Sequence, residues 1–115
     1  MEKKNEPAED WNKFFENSED GKPAWIASFD EEHWLVKTKK GIFKLQELEW
    51  DKIDKARKRN EKAPQETVLS ESIVGLDGKP YTVGELEIRT WKGSIVMRLL
   101  AAINTIYEVS DFLQE

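Results

Sequence analysis

A long apolar stretch in the last third of the chain places the strongest constraint on the fold. From Ile95 to Leu113, thirteen of nineteen residues are apolar, and they recur at the spacing of a helix. The pattern predicts a helix from about Trp91 to Leu113. A surface helix usually buries only one stripe of side chains, so this helix must lie at the centre of the core or complete its burial against another chain.

The segments that precede this helix predict a small antiparallel sheet. Apolar and polar residues alternate in several short segments, which is typical of half-buried strands. Asp77-Gly78 is a strong hairpin-turn dipeptide, and Asp30–Glu32 is a second predicted turn. The predicted strands are Ala24–Phe29, His33–Thr38, Ile42–Leu45 (or the start of a helix) and Glu66–Val74, with a return strand over Tyr81–Val83 and Leu86–Ile88.

A second helix is predicted from Leu45 to about Lys62, with one apolar face and one charged face. Together these elements predict an α+β fold, a small antiparallel sheet of four or five strands packed by two main helices. A chain of 115 residues is the size of one domain. We expect residues 1–8 to form a disordered tail and residues 9–115 a single domain. The predicted core residues are Trp25, Trp34, Leu48, Ile88, Leu99 and Ile103.

Composition excludes several classes of site. The chain has no cysteine, so it has no disulfide, no thiolate zinc site and no cysteine nucleophile. No apolar run approaches the ~20 residues that a membrane span needs, and the first residues lack the apolar core of a signal peptide. We therefore expect a cytoplasmic protein that does not associate with membranes.

No motif in the chain predicts catalysis. His33 is the only histidine, and although it follows three acidic residues, consecutive side chains in a turn point in different directions. Gly75-Leu-Asp-Gly78 has the G-x-x-G spacing of a phosphate clamp, but its middle residues are not basic. Nucleophile-elbow, Walker and dinucleotide signatures are missing from the sequence. We expect no enzyme, no metal and no cofactor.

Two other kinds of ligand are open alternatives. Residues 52–62 carry six Lys or Arg against two acidic residues, so this helix could contact the phosphates of a nucleic acid, although the formal net charge of −5 makes nucleic acid an unexpected partner. The candidate phosphate contacts are Lys55, Arg57, Lys58 and Arg59. Five tryptophans could instead line a small-ligand pocket. We expect no apolar cavity larger than ordinary packing voids.

The C-terminal helix predicts a partner surface. Trp11, Phe14 and Phe15 share one helical face and could fold back over part of this helix. One small sheet cannot cover all of its apolar positions, so an apolar patch should remain exposed. The patch is expected to bind a protein partner or to mediate self-association. Its predicted residues are Val96, Leu100, Tyr107 and Phe112.

The segment Lys79–Trp91 reads K-P-Y-T-V-G-E-L-E-I-R-T-W. It resembles small bacteriophage tail-assembly proteins of the chaperone type, which often show a glycine turn, a short strand of the form Y-x-V-x-x-L-x-I-R and then an apolar helix. The resemblance covers roughly residues 72–105, and the first sixty residues match nothing in that family. It implies a non-enzymatic factor in the host cytoplasm that holds another phage protein during assembly.

Overall fold

One antiparallel sheet organises the protein. The computed structural model describes residues 8–16, 23–62 and 64–107. Five strands lie side by side in chain order, and each pairs with the next in antiparallel fashion. They are β1 (Ile26–Ser28), β2 (His33–Thr38), β3 (Gly41–Gln46), β4 (Ile73–Leu76) and β5 (Lys79–Pro80). With the helices below, this arrangement confirms the predicted α+β fold.

Short polar turns fix the register of the sheet. In the β1–β2 turn, the Asp30 carboxylate accepts the backbone N–H of Glu32 at 2.8 Å. The β4–β5 turn consists of Asp77 and Gly78, with φ values of 51° and 85°. Both values are positive, as the two-residue hairpin turn preferred by Asp-Gly requires. Both predicted turns are therefore confirmed.

Five helical segments within the described residues complete the fold. A 3-10 helix (Trp11–Phe15) lies near the N-terminus. The others are α1 (Trp50–Arg59), α2 (Pro64–Ser72), α3 (Glu85–Ile88) and α4 (Gly93–Ile106). Helix α4 confirms the predicted apolar helix up to Ile106; positions 108–113 of the prediction lie outside the described residues. Helix α1 begins at Trp50 rather than Leu45, because Leu45 pairs with Ile73 inside the sheet.

The predicted strand over Glu66–Val74 is wrong, because most of it is helix α2 and β4 begins only at Ile73. Pro64 is the first helical residue, where its fixed φ and missing N–H favour a helix start. Glu66 lies in the first turn, where its charge suits the helix dipole. The β-branched residues at positions 67 and 68 misled the prediction, because the packing of α2 against α1 overrides their local preference.

The predicted return strand is also wrong beyond its first residues. Strand β5 is limited to Lys79–Pro80, and Leu86–Ile88 belongs to helix α3. Gly84 is the N-cap of this helix, and its first turn contains two glutamates, which suit the positive end of the helix dipole.

The main core lies between one face of the sheet and α4. Alternate residues of the strands point to this face, and the apolar stripe of α4 packs on them. The core contains Ile26, Val36, Phe43, Leu45, Leu69, Ile73, Val83, Ile88, Ile95, Leu99, Ala102 and Ile106. Of the predicted core, Leu48, Ile88 and Leu99 are buried, as expected. Trp25, Trp34 and Ile103 are only half-buried at its margin, so for them the prediction was too strong.

The N-terminal aromatic residues cover the opposite face of the sheet. Trp11 is buried, and its ring meets Phe29 edge-on with centroids 6.1 Å apart. Phe14 lies 4.9 Å from the same ring. Gly75 is required beneath Trp11, because a Cβ at this glycine would lie 2.8 Å from the indole. The expectation that these aromatic residues fold over the C-terminal helix is therefore wrong: α4 and the 3-10 helix lie on different faces of the sheet.

Candidate functional site

An apolar groove runs between α1, α2 and the C-terminal half of α4. It is open to solvent and has a volume of about 930 Å³. The walls come from Trp50, Ile53 and Arg57 of α1, from Pro64, Gln65 and Val68 of α2, and from Leu100, Ile103, Asn104 and Ile106 of α4 with Tyr107 at its end; Trp34, Glu47 and Leu48 complete the lining. Most of the groove surface is therefore contributed by apolar side chains.

Helical spacing explains why these side chains share one groove. Leu100, Ile103 and Tyr107 recur at three- and four-residue intervals, so they lie on one face of the C-terminal helix. That face is next to the apolar stripe of the same helix that contains Leu99 and packs in the core. The helix is thus apolar over a wider arc than the core needs, and the surplus forms a groove wall.

Tyr107 lies at the lower end of the groove, which is the end where α4 stops. The backbone N–H of Leu48 donates to the Tyr107 hydroxyl at 2.7 Å. Burial raises the pKa of Tyr107, and the negative charge of Glu47 raises it further, while the Leu48 hydrogen bond acts in the opposite direction. The neutral phenol therefore connects the end of α4 to the segment that precedes α1.

Trp50 is the most distinctive residue of the groove. Its exposed fraction is 59%, although a tryptophan usually gains more from burial than any other side chain. It begins α1 and stands at the mouth of the groove. Exposed tryptophans beside apolar grooves are frequent anchors in protein interfaces. The sequence analysis placed Trp50 only at the edge of the apolar face of the second predicted helix. In the structure Trp50 is the first residue of α1, and its side chain is exposed.

The candidate phosphate contacts are mostly neutralised within the protein. Lys55 pairs with Asp51 at 3.2 Å, and Lys58 pairs with Asp54 at 3.1 Å. Both pairs have the four-residue spacing of adjacent helical turns. Arg59 reaches carboxylates outside α1, with Glu85 at 3.0 Å and Glu71 at 3.6 Å. Arg57 is the exception: it lines the groove and forms no ion pair with any residue that the structure describes.

The predicted partner residues have different positions in the structure. Leu100 and Tyr107 both line the groove. Val96 is half-buried against the core, and it is not part of the groove wall. Phe112 lies outside the described residues. The contributions of α1 and α2, above all Ile53 and Val68, were missed because no local pattern in the sequence indicates which helices meet.

The groove also corrects the expectation about cavities. No apolar cavity beyond packing voids was predicted, yet a volume of about 930 Å³ is within the range of ligand sites. Trp34 lines it and Trp25 does not. The groove is open rather than enclosed, which favours an extended ligand over a small molecule surrounded on all sides.

His33 makes a local contact within a turn. Its Nδ1 lies 2.8 Å from the Asp30 carboxylate. The backbone N–H of Glu32 and then the His33 side chain lower the pKa of Asp30. In the part of the chain that the structure describes, no three His, Cys, Asp or Glu residues are grouped to hold a metal ion.

No known protein family, curated protein or solved structure matches this chain. The resemblance to tail-assembly proteins stays a prediction, and the segment that carries it forms a short helix where that pattern has a strand. Among the described helices, none is long and apolar enough to cross a membrane.

Proposed function

We propose that the protein is a non-enzymatic protein-binding module that holds an amphipathic helix of a partner protein in the groove between α1, α2 and α4. One observation carries the proposal: an open apolar groove of about 930 Å³ has an exposed tryptophan at its mouth. An amphipathic helix that lays its apolar face into such a groove is a common mode of recognition. We also propose that the protein is cytoplasmic and acts in assembly. These two parts of the proposal depend on the sequence and on the resemblance to tail-assembly proteins.

The shape and lining of the groove favour a helix over the alternatives. Small-molecule sites usually surround most of the ligand surface, whereas this groove is open to solvent. Its volume is close to that of two turns of helix about 10 Å wide and 11 Å long. Nucleic acid is disfavoured because three of the four candidate phosphate contacts are already paired with carboxylates.

The experiment measures binding of a synthetic amphipathic helix with leucine and phenylalanine on one face. We expect the full-length protein to bind it, and Trp50→Ala to weaken binding by roughly thirtyfold, because an aromatic anchor typically contributes 2 kcal/mol or more. Met97→Ala is the matched control, because Met97 is exposed on α4 but does not line the groove. It should leave the affinity unchanged.

Two results would contradict the proposal. One is the failure of any amphipathic helix to bind at millimolar concentration. The other is equal binding to the wild type and to Trp50→Ala, which would place the binding surface elsewhere. Sedimentation at high concentration distinguishes self-association: a dimer that Trp50→Ala dissociates would make a second copy of the chain the occupant of the groove.

A further inference from the structure

We infer that the groove selects a helix that carries opposite charges at its two ends, with a carboxylate facing Arg57 and a cation facing Glu47. This inference depends on the proposed function and names the chemistry of its partner. It comes from the two charged side chains of the groove lining, which have opposite sign and lie ten residues apart in the chain, Glu47 before α1 and Arg57 near its end.

The positive position is a single side chain on α1. Arg57 has no carboxylate partner among the described residues, although Lys55, Lys58 and Arg59 on the same helix all have one. A guanidinium beside an apolar wall is well suited to a bidentate contact with a carboxylate. The other polar residues on these walls, Gln65 and Asn104, are uncharged, so a carboxylate from a partner would meet no repulsion from the groove lining here.

The negative position lies at the other end. Glu47 is exposed, and its side chain forms no ion pair within the described part of the chain. Glu47 and Tyr107 both line the groove, and Glu47 directly precedes Leu48, whose backbone N–H donates to the Tyr107 hydroxyl, so Glu47 lies beside the lower end of the groove. The adjoining hollow is lined by Glu32 and Glu49 with Lys52, so this end is acidic overall.

Arg57 lies near the end of α1 and Glu47 lies before its first residue, so the two charges flank the groove wall that α1 contributes. Trp50 and Arg57 are seven residues apart on α1, which corresponds to about 10 Å. Glu47 lies just before this span. On a docked helix, charged side chains in the first and last turns could therefore approach the two charges of the groove. The apolar residues between these turns would face Ile53 and Ile103, which line the groove.

The test uses three synthetic helices with the same apolar face and different charged residues in the first and last turns: Glu and Lys, Lys and Lys, or Glu and Glu. At low salt, we expect the full-length protein to bind the mixed helix roughly five- to tenfold more tightly than either of the others. Each exposed ion pair contributes up to about 1 kcal/mol, and each like-charge contact costs a similar amount. The preference should weaken at high salt because exposed charges are screened.

Charge reversal makes the test specific. Arg57→Glu should change the preference to the Lys–Lys helix, and Glu47→Lys to the Glu–Glu helix. The double reversal should restore the preference for the mixed helix, now bound in the opposite direction. Lys79→Glu is the control, because this exposed lysine in β5 does not line the groove.

The outcomes separate this inference from the proposed function. If all three helices bind equally well and Trp50→Ala still weakens them, the groove binds helices but the charge pattern is wrong. If no helix binds, both are overturned. A dimer that fills the groove with a second copy of the chain would also overturn the inference about the partner.

Discussion

At the scale of single residues, the centre of α4 should dominate the stability of the fold. Leu99 has no exposed surface, so Leu99→Ala leaves a cavity between α4 and the sheet. We expect it to lower the free energy of unfolding by about 2–5 kcal/mol in urea titrations. Leu86→Ala is the control, because the leucine in α3 is 80% exposed and its truncation should change stability by less than about 0.5 kcal/mol. Similar losses for both variants would mean that α4 is not in the core.

Residue-scale burial was only partly predictable from the sequence. Periodicity identifies the side of a helix or strand that faces inward, and for Leu99 this was sufficient. It does not show whether a large residue lies at the centre or at the margin of the core. Trp25 illustrates the difference: the Arg98 guanidinium lies 4.6 Å from its ring and also donates to the Lys37 carbonyl at 3.1 Å. This tryptophan is half-buried because an arginine from α4 covers it at the edge of the sheet.

At the scale of elements, Arg59 connects the end of α1 to α2 and α3. Its guanidinium lies 3.0 Å from the Glu85 carboxylate, which also accepts a hydrogen bond from Asn60 at 3.2 Å. The Arg59 hydrogen bond is the largest cause of the lowered pKa of Glu85. Because the folded pKa is lowered, this carboxylate stabilises the fold above the ordinary pKa of a glutamate. That contribution is lost as the pH falls through the lowered value.

We predict that Arg59→Gln raises the pKa of Glu85 toward its ordinary value. The measurement is an NMR titration of the Glu85 side-chain carboxyl carbon in the wild type and in the variant. Lys55→Gln is the matched control, since Lys55 pairs with Asp51 and should leave Glu85 unaffected. An unchanged Glu85 titration in Arg59→Gln would show that the contact does not persist in solution.

The elements themselves were predictable where local pattern and tertiary packing agree. Strand β2 was predicted with its observed ends, His33–Thr38, and the buried neighbours Leu35 and Val36 show that both of its faces are covered. The segment over Glu66–Val74 failed because its β-branched residues favour a strand, whereas packing against α1 stabilises a helix. The groove was also only half predictable from the sequence. The wall from α4 followed from periodicity, but Trp50 and Val68 enter the site only through helix packing that no local pattern encodes.

At the scale of the whole molecule, the described residues cover both faces of the sheet and leave a groove between α1, α2 and α4. Helix α4 packs on one face, and the 3-10 helix packs on the other through Trp11. Helices α1 and α2 pack together, and α2 contacts α4. Apolar residues of α1 and α4 both line the groove. Within the described residues this groove lies between helices, and ridges and grooves of helices are surfaces against which other helices pack.

The distribution of charge over the molecule predicts weak, strongly salt-sensitive binding to nucleic acid. The net charge is −5, and within the basic run at positions 52–62 only Lys52, Arg57 and Lys62 lack a carboxylate partner among the described residues. Three phosphate contacts would give a slope of roughly −3 for the logarithm of the affinity for duplex DNA against the logarithm of salt concentration. We therefore expect no submicromolar complex at ~150 mM salt in fluorescence anisotropy with a labelled duplex. A submicromolar complex that Arg57→Glu/Arg59→Glu abolishes would contradict this. It would show that Arg59 leaves its carboxylate partners for phosphate, and the basic helix rather than the groove would then be the main binding surface.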